Sequence, residues 1–219
     1  MSRLIFIVGD SGTGKSYSLK TLDPQSSFVI NCVGKDMPWR KWSDTWSREK
    51  KNHSVTTNWE TIVKTMLWID KKAPHIKNIV IDDFQYVMSF EYLQHLEKDV
   101  WETFRNIGGH VFQIVNTARS LRRDLNIIIL THSETQPETG RRKVKTVGKM
   151  TDEKITLEGL ATIVLFTSVE PNPETGQVQY LFETQNDGST TAKSPEGMFK
   201  AKKVPNDLGQ VVNTITEYF

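Results

Sequence analysis

Cysteine is nearly missing from this chain: Cys32 is the only one among 219 residues. One thiol excludes an intrachain disulfide and any zinc site built on several cysteines, and it fits a reducing compartment. No apolar run approaches the length of a membrane span, and the opening MSRLIF passes straight into an apolar run. Neither a signal peptide nor a membrane contact is therefore expected, and the host-cell cytoplasm is the expected location. A large charge of one sign is absent too. Lys and Arg number 28 against 26 Asp and Glu, a net charge of +2, so nothing global points to nucleic acid and only local clusters can. No repeat, low-complexity tract or linker divides the chain, so residues 1–219 read as a single domain large enough to bury a core.

What is present begins at residue 9. Gly9-Asp10-Ser11-Gly12-Thr13-Gly14-Lys15-Ser16 is a complete GxxxxGK[ST] phosphate-binding loop, preceded by the apolar run Leu4 to Val8 and followed by a helix expected over Tyr17 to Leu22. The glycines let successive N–H groups turn inward around phosphate oxygens at a helix start. The nucleotide-binding set is Gly9, Asp10, Ser11, Gly12, Thr13, Gly14, Lys15, Ser16 and Tyr17. Lys15 is expected to reach the β and γ phosphates of ATP, and the Ser16 hydroxyl to ligate Mg²⁺.

The chain then alternates. Strands are expected over Ser27 to Cys32, Asn78 to Asp83 and Asn126 to Leu130. Helices are expected over Asn58 to Lys71 with Thr57 as N-cap, Phe84 to Lys98, Val100 to Asn106 and, after a break at Gly108-Gly109, Val111 to Arg122. Continuous apolar strands between helices indicate an α/β fold with a mainly parallel sheet covered on both faces. The last third differs. Ala161 to Ser168 and Gln179 to Thr184 flank Pro171-Asn172-Pro173-Glu174-Thr175-Gly176, which predicts an antiparallel hairpin, and Pro205-Asn206-Asp207 leads a final helix over Leu208 to Tyr218.

Ligands of parallel sheets sit at the carboxyl ends of the strands. Asp82, closing one strand, is expected to hold the Mg²⁺ site. Asp83 is the nearest group to orient or deprotonate an attacking water, or else a simple helix cap. His132, closing another strand, is placed to sense the γ-phosphate. The loop from Ser133 to Met150 carries Arg141, Arg142, Lys143, Lys145 and Lys149, a set suited to a phosphate backbone unless it is merely solvated. Trp39, Trp42 and Trp46, interleaved with basic residues, fit either base stacking or one buried helical face, and packing is the favoured reading. Arg119, Arg122 and Arg123 belong at the sheet edge away from the phosphates, where a helix C-terminus accounts for them.

In sum the residues resemble a known group, the compact RecA-like P-loop ATPases encoded by phages, an AAA-type family implicated in single-strand annealing and recombination. The likeness runs through GDSGTGKS, IVIDDFQY, LTHSE, KTVGKM and YLFETQNDGSTTAKSPEGMF. It implies a Mg²⁺-dependent ATP hydrolase that assembles as a ring or filament on single-stranded DNA, beside phage replication or recombination proteins. It gives His132 the sensor's place and residues 133 to 150 that of the DNA loop. It also makes Lys193 the leading candidate to complete a neighbouring subunit's ATP site, with Lys149 second. Two departures stand out: no acid precedes Asp36 after the second strand, where RecA proteins carry their catalytic glutamate, and the sensor is histidine rather than glutamine. A nucleotide or nucleoside kinase, with Arg141 and Arg142 as lid arginines, and a non-catalytic ATP-loaded assembly factor are the alternatives.

Overall fold

A computed structural model describes residues 1–97, 99–147 and 156–219. Its centre is an eight-stranded sheet in the order β10-β9-β8-β1-β5-β4-β2-β3. The strands are β1 (Arg3–Val8), β2 (Ser27–Asn31), β3 (His53–Val55), β4 (Asn78–Asp82), β5 (Asn126–Thr131), β8 (Ile163–Pro171), β9 (Val178–Glu183) and β10 (Lys203–Pro205). From β8 across to β3 every neighbouring pair is parallel, whereas β9 and β10 extend the sheet antiparallel. This is the expected α/β fold with its C-terminal hairpin. The hairpin turns where Asn172 accepts hydrogen bonds from the Glu174 and Thr175 N–H groups (2.9 and 3.1 Å) and Gly176 sits at φ 69°.

Alternate residues of the apolar strands serve opposite faces, which is why the runs are continuous in sequence. Leu4, Phe6 and Val8 of β1 join Ile79, Ile81, Ile127 and Ile129 beneath α1 (Trp59–Lys72) and α3 (Val100–Ser120). Ile5 and Ile7 join Val80, Ile128 and Leu130 beneath α5 (Leu208–Tyr218) and the segment carrying Trp46. Register is set at the amino ends of the strands by a buried polar ladder. Asn78 donates to Ser27 (3.1 Å), Asn126 donates to Asn78 (2.9 Å), and each pair sits directly opposite in its strands. A one-residue slip leaves these amides unpaired and turns the strand inside out.

Several local expectations change. The cap of α1 is Asn58, accepting from the Thr61 N–H at 2.8 Å, and not Thr57, because the helix starts one residue later. Only a six-residue 3-10 helix, Ser16–Thr21, follows the phosphate loop. The helix after Asp83 is the shorter α2 (Gln85–Gln94), and Lys98 lies outside the described residues. Gly108 and Gly109 do not break α3, since Thr103, Ile107, Val111, Ile114, Val115 and Ala118 form one buried stripe through them. Two glycines cost about 2 kcal/mol of helix propensity, less than burying the apolar members of that stripe returns. The segment after His132 is not structureless: β6 (Ser133–Thr135) and β7 (Arg142–Val144) pair as an antiparallel hairpin. Finally, α4 (Leu157–Leu160) is one turn before β8.

Continuity of α3 is testable at Gly109, where an added Cβ meets nothing within 4 Å. Gly109→Ala is expected to raise unfolding free energy by about 0.5–1 kcal/mol in urea titration. A loss of stability there contradicts an unbroken helix.

Candidate functional site

The phosphate loop is made by close approach and by glycine geometry. β1 ends at Val8, and the Gly9 N–H continues the β1–β5 pairing to the Thr131 carbonyl (3.2 Å). A Cβ on Gly9 would lie 1.7 Å from the Thr167 hydroxyl oxygen, so only glycine lets β8 pass this close. Gly12 and Gly14 adopt φ 79° and 90°, which side-chain-bearing residues rarely adopt. Thr13 donates to the Asp10 carbonyl (2.7 Å), and the Thr13 and Thr167 hydroxyls are hydrogen-bonded at 2.7 Å, fastening the loop to β8. The Asp10 carboxylate accepts from Ser133. Lys15 is buried and folds its ammonium back onto the Gly9 and Asp10 carbonyls, 2.8 Å from each. Burial lowers its pKa, against the pull of Asp83 and Asp82.

Ser16 is carried across to the neighbouring acid. Its hydroxyl donates to Asp82 Oδ1 at 3.0 Å, joining residues 66 positions apart. Asp82 is wholly buried, and burial first, then the adjacent Asp83, pushes its pKa up to about 6, against Ser16, Lys35 and Lys15. Its Oδ2 has no hydrogen-bond partner among the described residues. A hydroxyl beside a buried carboxylate with one oxygen unsatisfied, at the lip of a phosphate loop, suits Mg²⁺ with its water shell.

Asp83 is not the cap of α2, whose N-cap position is Phe84 with no side-chain cap hydrogen bond. Asp83 takes a left-handed backbone, φ 60°, costing about 1 kcal/mol, and its side chain is 3% exposed. That conformation turns the carboxylate toward Lys35, with which it forms an ion pair, and toward His132, whose Nε2 is 3.9 Å away. Burial and then Lys15 lower the His132 pKa, leaving a neutral imidazole at neutral pH. These groups border one open cleft of about 700 Å³. It holds Gly12, Gly14, Lys15 and Ser16 with Asp83 and His132, and its wall includes Tyr17, Tyr86, Tyr180 and Pro38. Tyr86 and Tyr180 lie in the quoted segments IVIDDFQY and YLFETQNDGSTTAKSPEGMF but were given no role by sequence reading, and Lys35 lies in none of those segments. For Lys35 the available signal was its place at the carboxyl end of β2, the edge to which Asp82 and His132 were already assigned.

The other nominated residues lie elsewhere. Arg141 donates to the Thr190 carbonyl (2.9 Å). Arg142 pairs with Glu183 at 3.2 Å, with its guanidinium 5.5 Å from the Phe166 ring centre, and Lys143 pairs with Glu134 at 3.3 Å. Lys145 is exposed, its N–H bonded to the His132 carbonyl (2.9 Å), and Lys149 lies outside the described residues. Lys193 is paired through its backbone with Val164 (2.8 and 2.9 Å), opposite Phe6 in register and below the phosphate edge. It does not border its own subunit's cleft. Trp46 is buried, with Trp39 and Trp42 packed on the same core, but only Trp42–Asp44 is helical, and as 3-10 helix. Arg122 donates to the Ile69, Asp70, Ala73 and Ile76 carbonyls, closing the C-terminus of α1 rather than its own helix.

A lysine-bearing glycine loop on β1, an acid-tipped β4 two strands away and a polar-tipped β5 between them, on one edge of a parallel sheet, define a P-loop nucleotide-binding protein of the RecA-like, KaiC-type fold. A family model described as an AAA domain matches residues 1–195, and the chain belongs to that family of P-loop ATPases. No curated protein matches it. Among solved structures, a KaiC-like protein from the hyperthermophilic archaeon Pyrococcus horikoshii OT3 is similar in fold, with a TM-score of 0.52 and 16% identity over 93% of this chain and 84% of that one. No helix among the described residues is long and apolar enough to cross a membrane.

Asp82 makes the site costly to fold. Below the ordinary carboxylate value of 3.8 folded and unfolded chains both hold the proton. Between there and about 6 the unfolded chain releases it first, so stability falls as pH rises through that window. Chemical denaturation without Mg²⁺ at pH 8 is expected to find Asp82→Asn more stable than the unaltered protein, by up to about 3 kcal/mol, with a shallower fall between pH 4 and 6. Equal pH profiles contradict a destabilising buried carboxylate.

Proposed function

We propose that the chain binds ATP with Mg²⁺, hydrolyses it, and couples hydrolysis to assembly on single-stranded DNA in phage-type recombination or replication. The observation that carries the nucleotide part is the contact between Ser16 and the buried, half-satisfied Asp82 beside the Lys15 loop. Lys15 exchanges its two carbonyl partners for β- and γ-phosphate oxygens, and the glycine-shaped backbone holds the rest of the chain of phosphates. Ser16 and Asp82 would hold Mg²⁺, which would supply charge to offset the negative charge developing on the transferred phosphoryl group. Asp83 is the carboxylate placed to orient a water on the γ-phosphate, and neutral His132 beside it reads that phosphate and passes the change to β6, which starts one residue later. Tyr17, Tyr86 and Tyr180 offer ring faces for the base.

The DNA and assembly parts rest on the resemblance of LTHSE, KTVGKM and the hairpin segment to phage recombination ATPases. Lys145, exposed beyond His132, supports them, as does a cluster of exposed apolar side chains, Leu93, Leu96, Val100 and Trp101, around the α2–α3 junction. A kinase lid finds less support, because Arg141 and Arg142 are held by Thr190 and Glu183.

ATP turnover with and without single-stranded DNA, alongside sizing in ATP, tests this reading. Lys15→Ala is expected to fold and to lose turnover at least a hundredfold, while Asp83→Asn keeps nucleotide binding and hydrolyses slowly. Full turnover in Lys15→Ala contradicts the site. Mixing inactive Lys15→Ala and Lys193→Ala proteins is expected to restore partial activity if Lys193 completes a neighbour's site. For DNA, Arg142 is an anchor of the β6–β7 hairpin, so the informative substitution is Lys145→Ala with Lys149→Ala. It is expected to flatten the salt dependence of single-strand binding by about 1.4 in log–log slope, at roughly 0.7 per phosphate contact. An unchanged slope removes these lysines from the DNA path.

A further inference from the structure

Lys35 is an ammonium inside the phosphate cleft for which the phosphate loop and the Mg²⁺ site have no task. Its backbone is fixed. The buried Asn31 side chain at the end of β2 accepts from the Gly34 N–H (2.8 Å) and donates to the Lys35 carbonyl (2.8 Å), closing a turn in which Gly34 sits at φ 73°. Its head is not fixed, since the Lys35 side chain is 51% exposed while the Asp83 side chain paired with it is 3% exposed. Asp83 is locked by burial and by its left-handed backbone, so Lys35 is the partner free to leave.

We propose that Lys35 is a second phosphate-contacting lysine of the same subunit, moving from Asp83 onto the γ-phosphate of bound ATP. While the ion pair stands, the Lys35 ammonium sits against Asp83 Oδ2 and competes with water for that oxygen. A terminal phosphate would bring two negative charges and three acceptor oxygens beside Lys35, part of that charge offset by Mg²⁺ and Lys15, against the single charge of Asp83. The triphosphate therefore draws Lys35 away and leaves Asp83 open to water at the moment a γ-phosphate is present to be attacked. ADP has no γ-phosphate and leaves the Lys35–Asp83 pair in place. Lys35 thereby discriminates between the two nucleotides from within one subunit, in a position to which no motif drew attention. The inference rests on the reading that the loop at Gly9 to Ser16 holds ATP.

Calorimetric titration with a non-hydrolysable Mg²⁺-ATP analogue and with Mg²⁺-ADP separates the two claims. Lys35→Ala is expected to weaken the analogue about tenfold, as befits one charged hydrogen bond, and ADP less than twofold. Lys35→Gln, which keeps the length and packing of the stem, is expected to do the same, and Lys35→Arg to restore most of the preference for the triphosphate. Equal weakening of both nucleotides in Lys35→Ala and Lys35→Gln overturns the proposal, because lost loop structure acts on both alike. So does unchanged binding of both, which leaves the ATP site standing without Lys35. Failure of the unaltered protein to bind either nucleotide overturns the ATP reading, and the role of Lys35 with it.

Discussion

A buried carboxylate with one oxygen unsatisfied is the constraint on which this structure turns. Asp82 ends the all-buried strand β4, and among the described residues its carboxylate accepts one hydrogen bond, from Ser16. Burial pushes its pKa up to about 6, so its charged form carries an energetic penalty at neutral pH until a cation arrives. The sheet makes that placement unavoidable. β1 and β4 both flank β5 in parallel, so the loop leaving β1 and the acid closing β4 emerge on the same edge. The polar ladder of Ser27, Asn78 and Asn126 fixes the register that puts Asp82, rather than Ile81, at the lip.

Around that carboxylate the cleft holds a near balance of charge. Lys15, Lys35 and Asp83 border it, Asp82 is buried and hydrogen-bonded to Ser16 of its wall, and His132 is kept neutral by burial and by Lys15. None of these four charges has a partner that is both permanent and ideal. Lys15 rests on backbone carbonyls, Asp82 lacks a partner on one oxygen, and Lys35 reaches Asp83 from a half-exposed position. A site organised this way is preformed in shape and unsatisfied in charge, which is what favours an anionic ligand accompanied by a dication. Asp83 contributes an additional strain through its left-handed backbone, one residue before the right-handed Phe84 that is the N-cap of α2.

Much of this was legible in the sequence, for identifiable reasons. Continuous Ile and Val runs declare strands covered on both faces, and the phosphate loop and Asp82 follow from spacing alone. The hairpin announced itself through Asn172 and Gly176. Other features depended on energies that no short window contains. α3 runs through Gly108 and Gly109 because its buried stripe, not its propensity, decides the outcome. Arg142 looked like a ligand-facing cation but stacks on Phe166 and pairs with Glu183, residues distant in sequence. Arg122 illustrates the reverse: its helix-end role was foreseen, yet the end it closes belongs to α1.

The antiparallel extension of the sheet explains why the second half of the chain matters to a loop at its start. Thr167 on β8 holds Thr13, and Asn206 after β10 donates to the Thr13 carbonyl at 3.3 Å. The Tyr180 ring on β9 lies where a side chain on Gly14 would sit, 3.1 Å from that missing Cβ. The same strands bind the hairpin after His132, since Arg142 reaches both the Thr167 carbonyl and Glu183. Thr13 is therefore connected to Thr167, and through the Thr167 carbonyl to Arg142, the anchor of the β6–β7 hairpin. The Ser133 hydroxyl on Asp10 joins loop and hairpin directly by a second route. Nucleotide and hairpin are thus linked by two short chains of hydrogen bonds, both anchored in rigid strands. A change in loop geometry need travel only a few residues to reach the basic side chains beyond His132.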